Sequence, residues 1–235
     1  MATTKVISYE ALIEKFQYAL KNKWGYIYGS AGEVWTEAKQ KAATRTQTVK
    51  YGSQWIGHHV ADCSGLFSWA FEQLGGYMYH GSDTMFRKYT TATGQLKKGK
   101  RTDGKELRKG TAVFCYNEEK KNYSHVGLYI GNGWVIEAAG TQSGVIKTKV
   151  SNSKWEFWGE LRGVNYNTEP IPKGYAEVTG IRVALRKQPS TSAKIITRVD
   201  TGNRVKLEEP PPSDWDYVSY DGKKGYMMKQ FLKEG

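Results

Sequence analysis

The sequence predicts an α+β fold in a larger first part of the chain, followed by a small all-β barrel. Two segments in the first third of the 235 residues have the apolar spacing of helices. Beyond residue 110 the chain changes to short runs rich in Val, Ile, Tyr and Trp, broken by Gly-Asn-Gly and Ser-Gly, which is typical of an antiparallel meander. Helices followed by a sheet indicate an α+β layer architecture. The C-terminal part contains only short strand patterns, which favour a small barrel.

The first predicted helix covers residues 8–21. Its apolar side chains recur at spacings near three and four, and Ser8 is a candidate N-cap. These side chains are Tyr9, Leu12, Ile13, Phe16, Tyr18, Ala19 and Leu20. A polar stretch follows at residues 29–54, and we expect it to be a surface insertion. A lid formed by residues 33–60 is the alternative.

A cysteine stands where the second predicted helix begins. The sequence DCSG at residues 62–65 leads into an apolar run that continues to residue 74. Backbone N–H groups and the positive end of the helix dipole converge at such a position. We expect them to stabilise a thiolate and to lower the thiol pKa from its usual value of about 8.5. Cys63 is therefore a candidate nucleophile.

A histidine opens a strand-like run farther along the chain. It is His125, in the sequence SHVGLYIGNG at residues 124–133. A cysteine and a histidine that are far apart in sequence are what a thiol hydrolase needs. The second cysteine, Cys115, lies in the apolar strand pattern TAVFCY, where cysteine behaves as a small buried hydrophobe. We therefore expect no disulfide.

A polar segment with two prolines, at residues 165–174, lacks periodicity and is the candidate linker. We therefore divide the chain into a first domain at residues 1–164, a linker at 165–175 and a second domain at 176–235. Five short strand patterns follow the linker, separated by turn signals. They cover residues 181–185, 193–199, 204–207, 215–220 and 223–227.

The composition indicates a globular protein that attracts polyanions. Hydrophobic residues make up 39% and aromatic residues 13% of the chain, and no apolar run approaches the roughly 20 residues of a membrane helix. The net charge is +12, and residues 176–235 carry 11 Lys and Arg against 8 Asp and Glu, so most of the excess falls on the first domain. Nucleic acid, anionic lipid and acidic cell-wall polymers are the candidate partners of such a surface.

Three islands in the first domain resemble the NlpC-type peptidoglycan peptidases, a papain-like family of cysteine hydrolases. They are YIYG at residues 26–29, DCSG at 62–65 and HVGLYIGNG at 125–133, in the order of the family. The family has a third polar catalytic position twelve residues beyond the histidine, usually His and sometimes Asn or Gln. In this sequence that position is Glu137, and a carboxylate is also able to orient an imidazole.

The resemblance implies a cysteine endopeptidase that cleaves a peptide bond of the peptidoglycan stem next to D-glutamate. Cys63 is then the nucleophile, His125 the base and Glu137 the orienting group. The Tyr26 hydroxyl and the backbone N–H of Cys63 are the expected oxyanion donors. The family also contacts its peptide beside the cysteine and after its helix. These positions hold Asp62, Ser64 and Ser82, and helix capping is the alternative role of the first two.

The second domain resembles bacterial SH3-like domains that target the cell wall. The matching segments are IRVALR at residues 181–186, PSTSAKII at 189–196, WDYVSY at 215–220 and GYM at 225–227. The residues before the first proline are altered to Arg-Lys-Gln, so the ligand preference of the family is not carried over. The resemblance implies a small barrel that holds the enzyme on the wall.

We expect no cofactor and no metal, because four His and two Cys are too few and too scattered for a zinc cluster. The expected partners are peptidoglycan stem peptides and acidic wall polymers. We expect no nucleic-acid partner, no membrane span and a monomer.

The N-terminal sequence MATTKVIS does not have the pattern of a secretory signal. We expect the protein to reach the wall by one of two routes. It is released at lysis, as with a phage endolysin, or it is secreted with a leader that is absent from this chain.

Three other functions remain open at this point. The same Cys–His framework serves N-acetylmuramoyl-L-alanine amidases and acyl transferases. A basic protein that binds the wall without catalysis is the non-enzymatic alternative. Nucleic-acid binding is suggested by the charge together with the aromatic residues Trp155, Phe157 and Trp158.

Overall fold

The computed structural model describes residues 6–167, 171–209 and 214–234. The chain divides into two compact units. The larger unit is Tyr9–Leu161, and the smaller unit combines Met1–Ser8 with Arg162–Gly235. A short first strand, β1 (Ile7–Ser8), therefore belongs to the smaller unit. Residues 168–170 of the predicted linker lie outside the described residues.

The larger unit begins with helices. They are α1 (Tyr9–Lys21), α2 (Glu37–Lys41), α3 (Thr46–Tyr51), a 3-10 turn (Gly52–Trp55), α4 (Cys63–Gln73) and α5 (Ser82–Lys88). The amphipathic helix predicted at residues 8–21 and the helix predicted after Cys63 are both confirmed. The polar stretch between them is folded, since it contains two helices and the 3-10 turn.

An antiparallel sheet follows the helices. The strands of the larger unit are β2 (Ala31–Val34), β3 (His59–Ala61), β4 (Thr90–Lys97), β5 (Lys100–Arg101), β6 (Ala112–Asn117), β7 (Asn122–Gly131), β8 (Trp134–Gly140), β9 (Gly144–Lys149) and β10 (Phe157–Leu161). Seven of them form one sheet in the order β5-β4-β10-β6-β7-β8-β9, while β2 and β3 pair separately. The run β6 to β9 is the meander that the sequence predicts. The larger unit is therefore α+β, as predicted.

Helix α4 packs against β7 and β8, and its first residue, Cys63, meets β7 at Val126. Helix α1 packs against both α4 and strands β7 to β9, with the rings of Phe16 and Phe67 4.7 Å apart. Trp155 and Trp158 lie in the apolar core with 1% and 4% of their surface exposed. Because both rings are buried, these two tryptophans do not offer the stacking platform that suggested nucleic-acid binding.

The smaller unit consists mainly of short strands. After β11 (Val164–Asn165), they are β12 (Tyr175–Val178), β13 (Val183–Arg186), β14 (Ile195–Val199), β15 (Arg204–Glu209), β16 (Trp215–Tyr220), β17 (Lys223–Met228) and β18 (Leu232–Glu234). Within the described residues, β12 to β18 form one sheet in the order β14-β13-β17-β16-β15-β12-β18, and β1 pairs with β11. Asp221 and Gly222 join β16 to β17 with φ angles of 48° and 71°, the positive values that a tight two-residue hairpin turn requires. All five strands predicted after the linker are present.

Through the described part of the chain, the helices are too short and too polar to cross a membrane.

Candidate active site

Cys63 is the first residue of α4, and Asp62 caps this helix. One carboxylate oxygen of Asp62, Oδ1, accepts hydrogen bonds from the backbone N–H of Ser64 at 3.1 Å and of Gly65 at 2.7 Å. A Cβ on Gly65 would lie 2.0 Å from the carbonyl oxygen of Ser30, so glycine is required for this close approach. The DCSG segment thus fixes the start of the helix and, with it, the position of the sulfur.

The Cys63 thiol is almost enclosed, with 8% of the residue exposed. Burial raises the pKa of this thiol to about 12, and the negative charge of Asp62 adds to the rise. Backbone N–H groups, including that of Val126 on β7, act in the opposite direction and only partly offset it. The predicted lowering of the thiol pKa is therefore wrong for the resting structure, because burial outweighs the helix terminus.

His125 lies inside β7, one residue before Val126. The Val126 N–H that faces the sulfur belongs to the next residue of the strand, so strand and thiol are in contact at this point. The strand starts at Asn122, three residues before the predicted start, because its pairing with β6 already begins there. The imidazole stacks on the buried ring of Trp155, with centroids 5.6 Å apart and planes inclined by 21°.

Glu137 on β8 contacts the imidazole of His125. His125 Nε2 and Glu137 Oε2 are 2.6 Å apart, and the carboxylate is fully buried. Within the described ranges, His125 Nδ1 has no hydrogen-bond partner. With Nε2 donating to the carboxylate, the neutral ring carries its lone pair at Nδ1, the nitrogen that a base uses.

Two further side chains hold the Glu137 carboxylate. Thr148 Oγ1 donates to Oε1 at 2.6 Å, and Lys154 Nζ lies 2.7 Å from Oε1 and 2.6 Å from Oε2. Burial on its own would raise the pKa of Glu137. Hydrogen bonds from His125, Lys154 and Thr148 more than offset this and lower the pKa to about 2. Glu137 is therefore ionised at every pH at which the fold is expected to operate.

Tyr26 is a neutral donor beside the thiol. Burial raises the pKa of its hydroxyl well above the usual value, and the charges of Cys63 and Asp62 add to the rise. The Tyr26 hydroxyl has no hydrogen-bond partner in the portion of the chain that the structure describes, and the backbone N–H of Cys63 faces its own sulfur. Both donors are thus available to a charge that develops near the sulfur.

The three residues predicted to contact substrate have partners within the protein. Asp62 Oδ2 accepts from the Gly29 N–H at 2.8 Å, and both Asp62 oxygens lie 2.9 Å from His80 Nε2. Ser64 Oγ donates to Asp62 at 3.1 Å, and Ser82 Oγ donates to the Tyr123 carbonyl at 2.6 Å. These contacts favour helix capping and strand anchoring, and the substrate roles stay predictions.

The comparisons with protein families agree with this geometry. The NlpC/P60 family profile matches residues 43–160, which include Cys63, His125 and Glu137. The chain belongs to the NlpC/P60 family. The bacterial SH3 domain profile matches residues 181–233. Both resemblances inferred from the sequence are confirmed, and so is the fold class of a papain-like NlpC-type domain followed by an SH3-like barrel.

Two curated relatives match the NlpC/P60 region. The chain is 32% identical over 111 residues to peptidoglycan DL-endopeptidase CwlO of Bacillus licheniformis, covering 46% of this chain and 22% of that protein. It is 27% identical over 115 residues to gamma-DL-glutamyl hydrolase of Bacillus subtilis, covering 48% of this chain and 24% of that protein. The chain thus spans about a quarter of the length of these relatives.

Solved structures of the same family are similar at lower identity. Peptidoglycan hydrolase RipB of Mycobacterium tuberculosis gives a TM-score of 0.40 at 21% identity, covering 65% of this chain and 63% of that chain. The NlpC/p60 domain of peptidoglycan hydrolase SagA gives 0.43 at 15% identity, covering 66% of this chain and all of that chain.

Four side chains contact the residues of the NlpC/P60 site in roles that the sequence did not predict: His80, Thr148, Lys154 and the stacked ring of Trp155. Lys154 and Thr148 reach Glu137 from 17 and 11 residues away, and His80 reaches Asp62 from 18 residues away. Lys154 lies in a loop and has no local signal that separates it from other surface lysines. Across the described residues, no group of three His, Cys, Asp or Glu side chains is arranged to hold a metal ion.

Proposed function

We propose that this NlpC/P60 domain is a cysteine endopeptidase that hydrolyses the bond between D-glutamate and the diamino acid of the peptidoglycan stem. The observation that carries the proposal is the 2.6 Å contact between His125 Nε2 and the buried Glu137 carboxylate. That contact leaves Nδ1 as the basic nitrogen, on a strand whose next N–H faces the Cys63 sulfur. Cys63, His125 and Glu137 then act as nucleophile, base and orienting group.

The reaction begins from a neutral thiol, because the pKa of Cys63 is raised to about 12. As the sulfur attacks the peptide carbonyl carbon, His125 Nδ1 takes the thiol proton, and the carbonyl oxygen becomes an oxyanion. The Tyr26 hydroxyl and the Cys63 N–H donate to that oxygen. The C–N bond then breaks, and His125 returns the proton to the leaving amine. Water, deprotonated by His125, hydrolyses the thioester and restores the thiol.

Glu137 stays ionised throughout this cycle, with its pKa lowered to about 2. Its role is to fix the plane and tautomer of the imidazole and to stabilise the imidazolium that forms after the first proton transfer. A carboxylate performs the second task better than the amide or imidazole usual at this position, because it carries a full negative charge. Lys154 and Thr148 keep that charge in place.

The choice of bond is supported by the names of the two relatives. One is called a peptidoglycan DL-endopeptidase and the other a gamma-DL-glutamyl hydrolase. Both names refer to bonds between residues of D and L configuration, and the second specifies a glutamyl linkage. A bond formed by the γ-carboxyl group of D-glutamate in a wall peptide fits both names.

The bacterial SH3 region would hold the enzyme on the wall. A tether raises the local concentration of stem peptides around the larger unit, so a weak ligand for the barrel is sufficient. The net charge of +12 favours attraction to acidic wall polymers. We propose that the protein acts on the cell wall as a monomer.

Digestion of purified sacculi tests the bond and the nucleophile together. Wild-type protein should release fragments whose masses and new amino termini correspond to cleavage after D-glutamate. Cys63→Ala should bind sacculi and release nothing, whereas Cys115→Ala, which removes the other free cysteine, should release the same fragments as wild type. Cleavage at the muramoyl–L-alanine bond would instead favour an amidase, and transfer of the acyl group to an added amine an acyl transferase. Full activity of Cys63→Ala would contradict the proposal.

A further inference from the structure

A cleft of about 540 Å³ opens beside Tyr26. One wall is formed by residues 44–48, at the start of α3, and another by Gly140 and Thr141 at the end of β8. Arg45 carries the only formal charge among the lining residues in the described chain. Tyr26, the expected oxyanion donor, is one of the lining residues, so the cleft reaches the edge of the candidate active site.

The guanidinium of Arg45 is held but not neutralised. Its central carbon lies 3.5 Å from the centroid of the Tyr28 ring, a stacked cation–π contact. Among the described residues, Arg45 forms no ion pair with any carboxylate. Three other arginines of this unit do have acidic partners: Arg87 with Asp83, Arg101 with Asp103 and Arg108 with Glu160. Arg45 therefore presents an uncompensated charge to the cleft, and that charge acts at the Tyr26 hydroxyl.

The segment that carries Arg45 is fixed to the rest of the unit. Gln40 accepts from Trp35 Nε1 at 2.9 Å and donates to the Thr48 carbonyl at 3.1 Å. Gln54 and Trp55, in the 3-10 turn that follows α3, both donate to the Thr141 carbonyl, at 3.0 Å and 2.6 Å, which ties this turn to the end of β8. The insertion thus positions a cation in advance of substrate, which reduces the entropic cost of using it.

We propose that Arg45 is a specificity-determining residue that binds a free carboxylate of the peptide next to the bond that is cleaved. This inference rests on the proposed function. A glutamyl residue linked through its γ-carboxyl group keeps its α-carboxylate free, only a few bonds from the scissile carbonyl. A guanidinium stacked on an aromatic ring offers two parallel N–H donors to such a group, and the pairing is both charged and bidentate.

Four synthetic tripeptides test the inference: L-Ala-γ-D-Glu and L-Ala-γ-D-isoGln, each followed by L-Lys or by meso-diaminopimelate. In isoglutamine the α-carboxylate is replaced by a neutral amide of the same shape. For wild type, kcat/KM should be at least about 10-fold higher with the glutamyl peptides than with the isoglutaminyl peptides. Arg45→Met should lower kcat/KM for the glutamyl peptides by about that factor and leave the isoglutaminyl peptides within about 2-fold.

Two further variants separate charge from fold. Arg45→Lys, which keeps the charge without the planar fork, should retain an intermediate preference for the glutamyl peptides. Lys41→Met removes a cation from the neighbouring helix α2 and should keep the full wild-type preference. A merely structural Arg45 predicts an equal loss on all four peptides in Arg45→Met, and that result would overturn the inference.

The inference and the proposed function fail in different ways. If wild type cleaves the peptides but does not discriminate between carboxylate and amide, the proposed role of Arg45 is wrong and the endopeptidase proposal is retained. If wild type cleaves none of the four peptides, both the proposed function and the role of Arg45 are wrong.

Discussion

His125 Nε2 lies 2.6 Å from Glu137 Oε2, and this carboxylate has no exposed surface. A buried negative charge on one nitrogen of an imidazole fixes which nitrogen acts as the base and stabilises the protonated ring. The proposed chemistry follows from this pair, and most of the expected effects of mutation do as well.

Replacement of the carboxylate by an amide should slow the reaction. Glu137→Gln keeps a hydrogen-bonding group beside Nε2 but removes the charge that stabilises the imidazolium. We expect kcat/KM to fall by about 10²-fold, within the range typical of general acid–base contributions. Glu119→Gln, at an exposed turn, is the matched control and should have no effect. An unchanged rate in Glu137→Gln would show that the carboxylate does not take part.

Lys154 is a positioning residue that acts through Glu137. Its ammonium group contacts both carboxylate oxygens, so part of the negative charge is balanced by Lys154 rather than by the imidazole. In Lys154→Met the carboxylate loses this contact, and Glu137 is held less firmly beside the imidazole. The variant should therefore lower kcat more than it changes KM, and Lys154→Arg should restore kcat. A lowered melting temperature with unchanged kcat would indicate a structural role only.

Tyr26 should contribute to turnover through its hydroxyl. Removal of one oxyanion donor typically costs about 10² to 10³ in kcat, so Tyr26→Phe should be strongly impaired but not inactive. The exposed Tyr18 serves as the control, and Tyr18→Phe should keep wild-type kinetics. Steady-state kinetics on a glutamyl tripeptide measure both. Wild-type kcat in Tyr26→Phe would exclude the hydroxyl as a donor.

The pair of Asp62 and His80 should make stability depend on pH. Burial opposes ionisation of Asp62, but hydrogen bonds from His80 and from the Gly65 N–H lower its pKa, so its contribution is lost as pH falls through the folded value. The hydrogen bond to Asp62 raises the pKa of His80, so its contribution is complete below about pH 6.5 and is lost as pH rises through the folded value.

The difference in melting temperature between wild type and His80→Gln should therefore be largest from about pH 4 to 6.5 and should shrink above that range. His59→Gln is a suitable control, because His59 is exposed, contacts the Gly32 carbonyl and the Trp24 ring, and has no carboxylate partner among the described residues. A difference that grows toward alkaline pH would contradict the assignment of the ion pair.

Local sequence motifs were sufficient for part of this site. Cys63 and His125 were identified because each stands in a short segment whose chemistry is evident without tertiary contacts. Glu137 was predicted only through the resemblance to the NlpC-type peptidases, whose third catalytic position lies twelve residues beyond the histidine. Lys154 and His80 were missed because their partners lie 17 and 18 residues away, at distances that only the packed structure closes. The raised pKa of Cys63 was missed because the degree of burial depends on how α4 meets β7.

The fold also contains elements that local sequence patterns predict and elements that only tertiary contacts place. Strands β6 to β9 were predicted because short runs rich in Val, Ile, Tyr and Trp are broken there by Gly-Asn-Gly and Ser-Gly. The region of β4 was not predicted as a strand, since the sequence TTATGQLK is polar and only Leu96 of it is buried. Its pairing partner β10 returns from more than fifty residues away to lie between β4 and β6, and no local pattern encodes such a placement.

Trapping of the covalent intermediate tests the proposed pairing of Cys63 with His125 most directly. Wild-type protein mixed with L-Ala-γ-D-Glu-meso-diaminopimelate, quenched in acid and digested, should yield the peptide that contains Cys63 with the added mass of an alanyl-glutamyl acyl group. His125→Ala should yield none on the same time scale. Hydrolysis by wild type with no acyl group on Cys63, or with an acyl group on Cys115 instead, would contradict the mechanism.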